Sequence, residues 1–113
     1  MSELNVFNSA ANESIEAAVR RGFAQFRARQ APVCVLVLPT DERPARTVVD
    51  QIVEELAVSP SVKFLTLVHP SPAVGFFTSS IGLKAPNVQV RAYADVAAAG
   101  QRSLAEYARL GAA

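Results

Sequence analysis

At 113 residues, half of them apolar and 19% charged, the chain has room for one domain with one core and is too apolar to be disordered. Its formal net charge of +1 excludes a whole-molecule field that would draw it to nucleic acid or anionic lipid. Cys34 stands alone and His69 is the only histidine, which excludes an intramolecular disulfide and a Cys/His zinc site.

Leu4 to Phe7 can supply a short first strand. From Ile15 the apolar residues recur at Ala18, Val19, Gly22, Phe23 and Phe26, the stripe of an amphipathic helix. Asn12 is placed to cap it, with Glu13 and Glu16 in its first turn and Arg27 and Arg29 in its last, as the helix dipole favours. Pro32 closes this helix. The run Val33 to Leu38 is continuously apolar and predicts a strand buried on both faces in the middle of a parallel sheet. A polar loop, Pro39 to Pro44, leads to a second helix with Val48, Val49, Ile52, Val53 and Leu56 on its buried side and Asp50, Gln51, Glu54 and Glu55 opposite.

Ser59-Pro60-Ser61 reads as a turn, and Val62 to Val68 as the next strand, less uniformly apolar than the one before. After His69 and Pro70, Ser71 looks like an N-cap with Pro72 at the first helical position, where a missing N–H costs nothing. The third helix carries Val74, Phe77 and Ile81 and is predicted to stop at Gly82. Val88 to Tyr93 alternates, as a strand with one exposed face does. Asp95 opens a final helix with Val96, Ala99, Gly100, Leu104 and Tyr107 inward. Strands alternating with helices predict one α/β domain: a mostly parallel four-stranded sheet covered by helices through right-handed crossovers.

The chemistry such folds often carry is not written in the chain. None of the five glycines forms GxGxxG, no GxxxxGK[ST] is present, and the turn after the apolar strand holds Asp41 and Glu42 where a phosphate would sit. Cys34 lies in the most apolar strand and reads as a small buried hydrophobe rather than a nucleophile activated by His69. His69 itself reads as a loop-end imidazole bonded to backbone. Asp41 and Glu42 read as a solvated pair held by Arg43 and Arg46. Arg20, Arg21, Arg27 and Arg29 make the first helix basic, but no aromatic side chains interleave them as nucleic-acid binding would require. Phe76 and Phe77 cannot both point inward from one short helix, which leaves one of them available to a partner.

The segment Leu65 to Leu83, LTLVHPSPAVGFFTSSIGL, resembles the third quarter of the STAS (anti-sigma-factor antagonist) family, with Pro72, Val74, Ile81, Gly82 and Leu83 matching its outline. Val88 to Ala99 is similar to the family's next strand and its acidic entry to the last helix. Val35 to Leu38 and Val48 to Leu56 are similar to its central strand and helix. In the signalling branch a kinase phosphorylates a serine at the start of that helix, and the charge releases the partner. The resemblance puts Thr47 at the phosphoacceptor place and Arg46 at that of the preceding aspartate. The family's Asp-Leu-Ser-Gly and Asp-Ser-Ser-Gly stretches are absent, and one strand rather than two precedes the first helix, so a divergent STAS-like branch fits best. If Thr47 does not accept phosphate, it is expected to cap the second helix.

The sequence therefore predicts a non-catalytic regulatory module, without cofactor or metal. It is expected to meet a protein partner, an anti-sigma-factor-like kinase or another regulator, through Asp41, Arg43, Arg46, Thr47 and Phe76, on the loop Thr40 to Thr47 and the helix that follows. Self-association as a homodimer belongs to the same expectation. The alternative is a small apolar ligand or lipid held between sheet and helices, suggested by Phe23, Phe26, Phe64, Phe76 and Phe77. No apolar stretch approaches the ~20 residues of a membrane span. Met1 to Phe7 holds Glu3 and no basic-then-apolar leader pattern, and with the lone cysteine this makes the reducing cytoplasm the expected compartment.

Overall fold

The computed structural model describes residues 4–10, 12–40 and 45–112. Four strands alternate with four helices: β1 (Leu4–Asn8), α1 (Ile15–Arg29), β2 (Val33–Val37), α2 (Thr47–Ala57), β3 (Phe64–Val68), α3 (Ala73–Lys84), β4 (Gln89–Tyr93) and α4 (Val96–Ala112). The strands form one parallel sheet in the order β1-β2-β3-β4. The predicted α/β architecture is the one observed.

Burial follows position in the sheet. The central strands β2 and β3 are buried almost throughout, whereas β1 and β4 at the edges are half-exposed. Strand order that follows chain order, with crossovers of one hand, sends every connecting helix to the same face. Accordingly α1, α2 and α3 pack with Phe7, Cys34, Leu36, Leu65, Leu67 and Val90 into the main core. The alternate residues Val35 and Val68 meet Ala99 of α4 on the other face. Phe23 and Phe26 lie fully buried edge-to-face, their centroids 5.4 Å apart, and Phe64 is also fully buried.

Helix α1 buries all six residues of its predicted stripe. Its cap is Ser14 rather than Asn12, because Ser14 Oγ accepts the Ala17 N–H at 3.1 Å from three residues ahead. Glu13 Oε1 accepts the Ala10 N–H, and that bond, aided by Arg21, holds the carboxyl below its ordinary value. The helix ends at Gln30 in the left-handed region (φ 53°), its N–H bonded to Phe26 O at 2.8 Å. Gly22 is required where α1 crosses the sheet: a Cβ there would stand 2.5 Å from Leu36 Cδ1 and 3.2 Å from the Phe7 ring.

Three more expectations are corrected. Helix α3 does not stop at Gly82 but runs to Lys84, and its N-cap position falls on Pro72 while Ser71 Oγ accepts the Ala73 N–H. Asp95 precedes α4 and caps it through the Ala97 N–H at 2.8 Å. Val96 is exposed. The inner face of α4 is carried by Ala99, as expected, and by Ser103, whose small side chains let the helix lie close to the sheet. Thr66, the polar break in β3, is fully buried and bonds Ser103 at 2.6 Å between hydroxyls.

Candidate functional site

Past β2 the chain leaves the sheet at Leu38, whose N–H donates to Val68 O at 3.1 Å. Asp41, Glu42, Arg43 and Pro44 lie outside the described residues, and with them the predicted pairing of Asp41 and Glu42 with Arg43 and Arg46. Where description resumes, Ala45 and Arg46 enter α2 through a tight turn: Val48 N–H donates to Ala45 O and Val49 N–H to Arg46 O, both at 3.0 Å. Arg46 occupies the N-cap position with helical backbone, and no side chain among the described residues caps the helix. The expectation that Thr47 caps α2 is thus corrected. Thr47 is the first residue of the helix proper, already inside its backbone pattern, with its side chain exposed.

Thr47 stands on a ridge between two open grooves. One, between α1 and α2, is lined by Glu16, Asp50, Glu54 and Glu55 together with Arg20 and Gln51. The Glu16 carboxylate pairs with Arg20 at 2.7 Å and Glu55 with Arg27 at 3.0 Å. The other groove, about 410 Å³, runs between α2 and α3 and is lined by Arg46, Thr47, Val49, Asp50, Ser80, Leu83 and Lys84. An ion pair between Lys84 Nζ and Asp50 Oδ1 at 2.9 Å ties its two walls together. Arg46 makes no ion pair among the described residues.

Phe76 resolves the question posed by the adjacent phenylalanines. Phe77 is partly buried against the main core and Phe76 is 77% exposed. Leu83, seven residues further along α3 and so on the same side of the helix, is 86% exposed. The structure thus brings Arg46 and Thr47 together around the α2–α3 groove with Ser80, Leu83 and Lys84, while Phe76 does not line that groove and joins them only through the helix side it shares with Leu83. A spacing of seven from Phe76 was the signal that could have pointed to Leu83.

The two reactive side chains sit elsewhere. Cys34 is fully buried in β2, its Sγ 3.3 Å from Ala31 O, and burial pushes the thiol from an ordinary 9.0 up to about 12. Thiolate near pH 8 is thereby about a thousandfold scarcer than in the unfolded chain. Native protein should react with iodoacetamide at that pH only as fast as it opens, and should label promptly in denaturant. Fast stoichiometric labelling of folded protein would contradict this burial. Because the folded pKa is raised, the associated stability is complete below about pH 8.5 and is lost as pH climbs toward 12.

His69 follows β3 and is 6% exposed. Its N–H donates to Tyr93 O at 3.1 Å, and Nδ1 accepts the Ser71 N–H at 3.0 Å, the backbone-bonded role expected of it. Accepting at Nδ1 places the neutral ring's proton on Nε2, which has no partner among the described residues. Among the described residues no group of three or more His, Cys, Asp or Glu side chains is placed to hold a metal ion. Among them, too, no helix is long and apolar enough to cross a membrane.

A scan against protein-family models and searches of curated proteins and of solved structures find no match to this chain.

Proposed function

We propose that this chain is a non-catalytic protein-interaction module of the STAS-like kind, working in a reducing cytoplasm. It meets a regulatory protein partner across the α2–α3 side of the domain. The observation that carries the reading is that Arg46 and Thr47 share a groove with Leu83, on a helix face whose two largest outward residues, Phe76 and Leu83, are apolar and exposed. Exposed aromatic and arginine side chains are the residue types that most often anchor protein contacts. The likeness of Leu65 to Leu83 to the family's third quarter supports the same reading, and so does the alternating α/β order.

In this reading Thr47 is the place where phosphorylation would act. Phosphate there would stand at the N-terminus of α2 with Arg46 adjacent, a favourable site for negative charge. Arg46→Ala and Phe76→Ser, each exposed positions, should leave the fold intact by circular dichroism. Each should reduce recovery of a partner captured from native lysate at least about tenfold if it is an interface anchor. Recovery unchanged by both substitutions would remove the α2–α3 surface from the proposal.

A further inference from the structure

Helix α3 is built unlike the other three. A surface helix normally carries charge on its outer side, yet from Ala73 to Leu83 this one has no charged residue, and its outward side is as apolar as its inward side. Phe76 and Leu83 project from it about 10 Å apart along the axis. Between them lie Ser79 and Ser80. Gly75 and Gly82 flank the pair, with open space where a Cβ would be. One patch therefore holds both a projecting ring and, beside Leu83, the groove floored by Val49 and Ser80.

We infer that this patch pairs with a second copy of itself, which deepens the proposed contact function by naming one occupant of its surface. A two-fold axis between Ser79 and Ser80 lays two α3 helices antiparallel. Each Phe76 then meets the other copy's Leu83 and enters its α2–α3 groove, the reciprocal fit an isologous interface needs. Charge agrees with this pairing. The carbonyl end of each helix comes beside the N–H end of the other, and no like charges face one another across the axis. Arg46 lines the groove that receives the ring, where a guanidinium favours an aromatic face. The area sets the strength: two Phe76 and two Leu83 withdraw roughly 500–700 Å² from water, about half of the smallest stable interfaces. The pair should be weak, half-dissociated on the order of tens of micromolar.

Sedimentation velocity from about 5 to about 500 μM tests this directly. The wild-type mass should climb from monomer toward dimer across that range. Ser79→Asp and Ser79→Lys, exposed positions close to the axis, should each remain monomeric throughout, and an equimolar mixture of the two should recover the dimer. A wild type that stays monomeric, or a Ser79→Asp protein that pairs as well as wild type, overturns the inference. The outcomes separate from those of the broader reading. Monomeric protein whose partner capture still depends on Arg46 and Phe76 removes only the self-pairing, whereas monomeric protein with capture unaffected removes both.

Discussion

Trimming Leu36 to alanine is expected to cost about 2–5 kcal/mol of folding stability, the range for a fully buried leucine whose surroundings close only in part. Leu36 lies at the centre of the main core, against the point where α1 passes over the sheet at Gly22. Gly22→Ala by itself should also destabilise. Its methyl would stand 2.5 Å from a leucine terminus that is fully buried, with the Phe7 ring at 3.2 Å behind it. Overpacking of this kind costs about 1–3 kcal/mol, against a gain of up to about 1 kcal/mol in helix propensity. The pair should not add. In the double variant the new methyl enters space that the Leu36 side chain has vacated, so the combined loss should fall short of the sum by about 1 kcal/mol or more. Urea unfolding of the four proteins measures the difference. Strict additivity would mean that the two groups do not share that space.

The second large effect concerns the seam between the sheet and α4. Thr66→Val leaves the Ser103 hydroxyl buried with no partner, and Ser103→Ala does the same to Thr66. Each is expected to lose about 1–3 kcal/mol, the cost of stranding a polar group. Replacing both partners together removes the unmet groups, and the double variant should recover most of the loss. Chemical denaturation of the two singles and the double gives the coupling. A double variant as unstable as the sum would show the pair to be worth more than the polar groups it satisfies.

How much of this could be read from the residues depends on the range of the interaction. The stripe of α1 is a local pattern, and all six of its positions are buried. The apolar run of β2 foretold its central place, and the alternation of Val88 to Tyr93 foretold a strand with one more exposed face, though not its place at an edge. Boundaries were legible to within a few residues. Ser14 caps α1 because capping selects the side chain three residues before a free N–H, a choice between Asn12 and Ser14 that spacing alone does not make. Gly82 looked like a stop, yet α3 passes through it without a left-handed turn. Long-range pairings had no local signal. Thr66 and Ser103 are 37 residues apart, and only the packing of α4 on the second face makes them neighbours. The same packing explains why Val96 is outside and Ser103 inside, since close approach to the sheet selects for small size rather than hydrophobicity.

The candidate site divides in the same way. Arg46 and Thr47 are adjacent in the chain, and the exposure of one of Phe76 and Phe77 followed from helical geometry. That Arg46 and Thr47 share a groove with Ser80 and Leu83 follows from α3 packing beside α2, which the order of strands dictates and no motif announces.

That strand order carries a consequence for assembly. Each strand pairs only with the strand before it, so every rung of the ladder must close over a whole connecting helix, as in Leu4 with Val33 and Val33 with Phe64, the non-local pairing that slows folding. Through β4 the domain grows like a stack of repeats, each βα unit resting on its predecessor. Helix α4 breaks that pattern, for it alone touches all four strands. It acts as a clasp across a structure otherwise held only between neighbours. Loosening the Thr66–Ser103 seam should therefore cost more than stability: it should make the unfolding of the ladder less all-or-none.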